Sequence, residues 1–207
     1  MKIGFVGNNV EKYIDALRQN GYDIIHVPTI SQKNTQEQLL STEVCFLKDC
    51  YEHIELLTKN HNNLFVLTTT FFPYNQGSDS HLWSFIDDTP IGVSIYKPIL
   101  GENSRILLQR SVEIDEHATL KTSKQQLEDE LFILFTQNIN SLVHGMLPGE
   151  EITIQGTYHI SADRTSIEYL IKELGEYTPI QKLWDYAAEN QMTENFWDDY
   201  FNDISNK

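Results

Sequence analysis

The amino-acid sequence predicts an α/β fold in which a mainly parallel sheet is covered by helices. Three observations carry this. Short apolar runs alternate with amphipathic helical patterns through the first seventy residues, two further strand-like runs follow after residue 90, and a long helical pattern comes after residue 120. Strands that alternate with helices need crossover connections, and those put helices on the faces of a parallel sheet.

In chain order, KIGFV (2–6) reads as a buried strand, EKYIDALRQN (11–20) as an amphipathic helix stopped by Gly21, and YDIIHV (22–27) as the next strand. EVCFLK (43–48) and LFVLTTT (64–70) add two strands, with YEHIELLTKN (51–60) as the helix between them. IGVSIYK (91–97) and RILLQRSVEI (105–114), joined by the short PILGENS connection, are expected to pair as a hairpin. Thr122 or Ser123 is expected to cap a helix over 124–143, where Leu127, Leu131, Leu134, Phe135, Ile139 and Leu142 follow helical spacing before Gly145. After the loop MLPGEEITIQGTYHIS come two shorter helices, 164–174 and 179–190, and the aromatic acidic run TENFWDDYFNDI. A boundary is expected between 145 and 160, separating residues 1–150 from a helical C-terminal extension, 151–207.

Composition narrows the function. With 40% hydrophobic and 11% aromatic residues, the 207-residue chain has apolar surface for one sizeable core or a core with a smaller appended unit. Thirty acidic against fifteen basic residues give a net charge of -15, which repels phosphate backbones and anionic headgroups, so neither nucleic acid nor membrane is an expected partner. The start, MKIGFVGNN, reaches Asn8 and Asn9 before a secretory apolar region could form, and no window approaches the roughly 18 apolar residues of a membrane span. A cytoplasmic protein is expected, with Cys45 and Cys50 as reduced thiols, because their spacing fits neither a redox pair nor a zinc set. His26, His53, His61, His117 and His144 are scattered without ligand spacing, and no metal site is expected.

The stretch TTFFPYNQGSDSHLWSF (69–85) begins where the LFVLTTT strand ends, and open α/β sheets bind ligands beyond the carboxyl ends of their strands. Thr70-Phe71-Phe72-Pro73, Tyr74-Asn75-Gln76-Gly77, Gly92-Val93-Ser94-Ile95-Tyr96 and Ile106-Leu107-Leu108-Gln109 stand in the order and spacing of a known set of motifs over about fifty residues. In that set a Ser-Leu-Leu-Pro-like turn is followed by a Tyr/Asn-Arg-Gly loop, a Gly-Val-Thr/Ser-Ile/Val-His strand and a strand ending in Gln. The chain thus resembles the folate-dependent formyltransferases, the family of the methionyl-tRNA, sugar-amine and glycinamide ribonucleotide enzymes. The YNQG loop resembles the sugar-amine branch most closely.

The resemblance implies a Rossmann-like sheet, shortened because the strand before the turn already starts at Leu64, and a pocket where an amine meets 10-formyltetrahydrofolate. Attack on the formyl carbon creates an oxyanion that needs fixed donors, and the amine must lose a proton. In the family an Asn and a His supply donors and an Asp handles the proton. Counting from Pro73, this chain has Val66 at the Asn position and Thr68 at the His position, and counting from Gln109 it has Glu102 at the Asp position. The implied catalytic set is therefore degenerate: Glu102 as base, with Thr68 and His81 as the remaining donors. Tyr74, Asn75, Gly77 and Tyr158 fall at implied substrate-binding positions. His81 has the alternative reading of a polar cap or surface side chain, and Tyr158 that of a packed tyrosine in a half-buried strand.

Two functions follow as expectations: a sugar-amine N-formyltransferase with a degenerate site, or an inactive module that holds a small ligand or partner on the same scaffold. Weak or absent folate binding is expected. Val66 and Thr68 are expected to face the cleft, so Val66→Asn with Thr68→His should be tolerated. Phe196, Trp197, Tyr200 and Phe201 would form one apolar face of a terminal helix, opposite Asp198, Asp199 and Asp203, suited to a homodimer contact.

Overall fold

The computed structural model describes residues 1–30, 33–48, 54–101 and 103–189. In chain order the elements are β1 (Lys2–Val6), α1 (Glu11–Gln19), β2 (Asp23–Val27), α2 (Lys33–Leu40), β3 (Val44–Lys48), α3 (Ile54–Asn60), β4 (Leu64–Thr68) and β5 (Gln76–Gly77). There follow α4 (Ser80–Ile86), β6 (Gly92–Lys97), β7 (Arg105–Ser111), α5 (Leu120–Val143), β8 (Glu150–Glu151), β9 (Tyr158–His159), α6 (Glu168–Ile171) and α7 (Ile180–Glu189). They divide into two compact units, each built from three separate stretches: Met1–Thr68, Val93–Arg110 and Glu128–Ile154 in the first, and Thr69–Gly92, Ser111–Leu127 and Gln155–Lys207 in the second.

The first unit holds the seven-stranded sheet, in the order β2-β1-β3-β4-β6-β7-β8. β1 pairs in parallel with β2 and β3, and β3 with β4, as the alternation of strands and helices requires. The direction reverses at β6, which runs antiparallel to β4 with Thr68 opposite Ser94. β3 and β4 are buried along their whole length, which is why VCFLK and LFVLT read as continuous apolar runs without alternation. An aromatic cluster forms the core on one face: Phe5, Phe46 and Tyr13 surround Phe135 of α5, with ring centroids 5.3–6.3 Å from it. Lys48, at the end of β3, is only 4% exposed and pairs with Glu128 at 2.9 Å. His61, buried beside the start of β4, accepts from the Asn63 N–H at Nδ1 and so donates from Nε2 to the Thr42 carbonyl, a satisfied structural histidine.

In the second unit α4, α6 and α7 pack through Leu82, Phe85, Ile86, Leu170, Ile171, Ile180 and Leu183. The start of α5 differs from the sequence expectation. The helix begins at Leu120, and Thr119 just before it exchanges hydrogen bonds with Thr122, each hydroxyl accepting from the other's backbone N–H at 2.9 and 3.2 Å. This reciprocal arrangement satisfies donors that a helix start leaves open. The expected helix over 164–174 is instead a 3₁₀ turn at Asp163–Ser166 followed by the single turn α6, with a second 3₁₀ turn at Gly175–Tyr177. α2 was not expected, because KNTQEQLL carries almost no apolar periodicity. Among the described residues, no helix is long and apolar enough to cross a membrane and no group of metal-ligating side chains assembles.

Candidate functional site

The run from Leu64 to Asn75, which leads out of the sheet into the loop, is buried without interruption. Val66 is 0% and Thr68 1% exposed, which corrects the expectation that both face an open cleft. β4 is an interior strand buried along its whole length, so both of its faces are covered. Across the β4–β6 ladder Ser94 is fully buried opposite Thr68, and its Oγ accepts a hydrogen bond of 3.0 Å from Gln109 Nε2. Sequence reasoning placed Ser94 and Gln109 only as motif landmarks. Glu102, the expected base, lies outside the described residues.

His81 belongs to the second unit and is neither a cap nor a surface side chain. Its Nε2 lies 2.9 Å from Ser123 Oγ, and its ring meets Phe85 edge-on. Ser123 gives its single hydroxyl hydrogen to a carbonyl of the α5 start, at 2.8 Å from that of Thr119, so its oxygen accepts from His81. That fixes the proton on Nε2. Burial, with Lys124 adding repulsion, lowers the His81 pKa to about 4, so the imidazole is neutral at neutral pH and its only N–H is committed to Ser123.

The loop itself is a network. Asn75, 1% exposed and with φ 51°, accepts from Thr157 Oγ1–H at 3.0 Å on its Oδ1 and gives its backbone N–H to the same hydroxyl at 2.7 Å. Its Nδ2 donates to Ser84 and Thr89. Tyr74 is also buried, at 3% exposed. Gln76 and Gly77 pair in parallel with Tyr158 and His159 as a two-stranded sheet. Gly77 has φ 95°, and a β carbon there would stand 2.1 Å from the His159 carbonyl oxygen and 3.1 Å from Cε2 and Cζ of Tyr158. Only glycine admits that approach. Tyr158 is 66% exposed, where a packed tyrosine was the alternative expectation; alternation on the short strand turns it out and turns His159 in.

His159 is the functional-looking residue that sequence reasoning missed. Nε2 lies 2.7 Å from Asp87 Oδ2, Nδ1 lies 3.7 Å from Asp163 Oδ2, and the ring is stacked on Trp83 at 4.0 Å with 4° between planes. Burial raises the Asp87 carboxyl above its ordinary range, against the hydrogen bond and charge of His159, which pull it down. The buried Trp83 indole N–H has no hydrogen-bond partner among the described residues, so packing under His159 sets its position. Arg164 closes the cluster by pairing with Asp79 at 3.0 Å, and Ser78 Oγ meets Ser161 Oγ at 2.9 Å.

No protein-family model matches the chain. Among solved structures it is similar to the formyltransferase PseJ from Anoxybacillus kamchatkensis, in complex with UDP-4,6-dideoxy-4-formamido-L-AltNAc and tetrahydrofolate. The two are 26% identical with a TM-score of 0.80, over 90% of this chain and 100% of that one. The chain has the fold of the folate-dependent formyltransferases. The same formyltransferase fold relates it to a sugar N-formyltransferase from Shewanella sp FDAARGOS_354, 16% identical over 88% of this chain and 87% of that chain with a TM-score of 0.72. A 4-N formyltransferase from Francisella tularensis is likewise 16% identical, over 89% and 86% of the two chains, with a TM-score of 0.73. The resemblance is to the sugar-amine branch of the formyltransferases.

Proposed function

We propose that this chain is a sugar-amine N-formyltransferase with a degenerate donor set, acting in the cytoplasm on the amino group of a nucleotide-linked sugar. The observation that carries the reading is the likeness to PseJ over the whole of that chain, whose structure holds a formamido sugar nucleotide together with tetrahydrofolate. The matching acceptor is the 4-amino form of such a sugar nucleotide. When bound, 10-formyltetrahydrofolate would supply the formyl group, and tetrahydrofolate would leave with a proton on the freed nitrogen.

The donor set fits that chemistry in part. In the register counted from Pro73, Thr68 stands where the resemblance places an imidazole but is 1% exposed, and Val66 offers nothing where the resemblance places an amide. Losing one oxyanion donor typically costs ~10²–10³ in rate, so slow turnover is expected. Glu102 is the proposed base, taking the proton that the amine sheds. With its N–H held by Ser123, His81 is a framework residue in this reading. Gly77 and Tyr158 are the proposed substrate contacts on the loop, backed by the Asn75 network. A homodimer through Phe196, Trp197, Tyr200 and Phe201 is part of the proposal, although these residues lie outside the described ones.

The uninterrupted burial of residues 64–75 favours a second reading, in which the scaffold binds the sugar nucleotide without transferring formyl. Incubating the purified chain with 10-formyltetrahydrofolate and the 4-amino sugar nucleotide, and following formamide by mass spectrometry, separates the two. Enzyme-dependent formamide supports transfer. Binding without product supports the scaffold, and absence of both rejects the assignment.

A further inference from the structure

Tyr158 and His159 are consecutive on β9 but live in opposite environments. Tyr158 presents a ring that is 66% exposed, with one edge resting on the bare backbone of Gly77. The side chain of His159 is 17% exposed and is held on three sides, by Asp87 at 2.7 Å, by Asp163 at 3.7 Å and by the parallel indole of Trp83 at 4.0 Å. Asp163 is itself fixed, since its Oδ2 accepts the Ile160 N–H at 2.9 Å. On the other edge of the ladder, Ser78 N–H donates to the His159 carbonyl at 2.9 Å. A β9 of two residues has too few ladder bonds to hold an exposed aromatic ring still. The anchoring of its inward neighbour does so.

We propose that His159 is a positioning residue, which holds the Tyr158 ring as a rigid stacking surface for a flat heteroaromatic ring, either the base of a sugar nucleotide or the pterin of a folate. This rests on the function proposed above, in which Tyr158 contacts substrate. Rigid aromatic surfaces bind flat rings well because little motion is lost on binding, and such stacking is worth about 1–3 kcal/mol. The carboxylate contacts and the Trp83 stack are thus assigned to orientation of a neighbour, with no chemistry of their own.

The test titrates the full chain calorimetrically with UDP and, separately, with 5-formyltetrahydrofolate. The variants are Tyr158→Ala, Tyr158→Phe, His159→Ala, His159→Gln and the double alanine. Tyr158→Ala and His159→Ala should each weaken the same one of the two probes by about tenfold, which tells base from pterin. Tyr158→Phe and His159→Gln, which keep the ring and the donor to Asp87, should stay within about threefold of wild type. The double alanine should be no weaker than Tyr158→Ala, because His159 acts through Tyr158. Should His159→Ala fail to fold, Asp87→Ala takes its place with the same expectation. Wild-type binding that is indifferent to Tyr158→Ala or to His159→Ala, or losses that add in the double variant, would overturn this inference alone. A wild-type chain that binds neither probe overturns the proposed function along with it.

Discussion

Thr68 faces Ser94 across the β4–β6 ladder, hydroxyl-bearing residue opposite hydroxyl-bearing residue, and both are shut off from water. Placing at this strand the amide and imidazole that the resemblance implies would put two larger polar groups into a filled interior. Val66→Asn with Thr68→His should therefore destabilise the fold by on the order of 3 kcal/mol or more, measured by urea unfolding. The opposite expectation, drawn from the sequence, required these side chains to face an open cleft. Thr68→Ser should cost far less.

Acid should weaken the fold through His81. The unfolded histidine binds its proton near the model-peptide value of 6.5, while the folded one binds it only at about 4. Between those values the unfolded chain carries more protons, so the stabilisation is complete above pH 6.5 and is lost as pH falls toward 4, by about 3 kcal/mol in all. His61, also lowered by burial, adds in the same direction. Thermal unfolding followed across this window should show a shallower slope for His81→Asn than for wild type.

Glu128→Ala should lower stability by about 3 kcal/mol, because Lys48, 4% exposed, loses its 2.9 Å pair with Glu128. Glu128→Ala combined with Lys48→Met should recover much of that loss, as apolar replacement of a buried pair often does. Chemical denaturation of the two variants side by side reads the difference.

Asn75→Ala should cost about 3 kcal/mol, combining the loss of a buried hydrogen-bonding amide with a left-handed backbone that alanine resists. Asn75→Gly removes the same amide but relieves the backbone, and should be less damaging by about 1 kcal/mol. Equal losses for the two would show that the side-chain bonds carry the whole effect.

The sheet was legible because its strands leave little choice. VCFLK and LFVLT are apolar throughout, and a five-residue run that is buried on both faces can be little else between two helical patterns. The motif spacing from Pro73 to Gln109 likewise survived as residue order. What the sequence hid was direction and depth. Nothing in LFVLTTT says that β6 will pair beside β4 or that both faces of β4 are covered, so burial of Val66 and Thr68 emerged only with the structure. His159 was hidden for a related reason. Its partner Asp87 is 72 residues away, and no spacing rule links a histidine at one strand end to the carboxylate that ends a distant short helix. His81 was visible as a histidine in a suggestive loop, but only Ser123, from the start of α5, shows where its proton goes.

The chain passes from one compact unit to the other at 68/69, 92/93, 110/111, 127/128 and 154/155, the fourth of these inside the single helix α5. Neither unit can therefore be removed by shortening the gene, and neither can be borrowed as a contiguous cassette. A lineage carrying such a weave has one inexpensive route to a new chemistry: substitution of individual residues on a backbone it is obliged to keep whole. Valine and threonine at 66 and 68, where the resemblance places an asparagine and a histidine, are the kind of change that route permits.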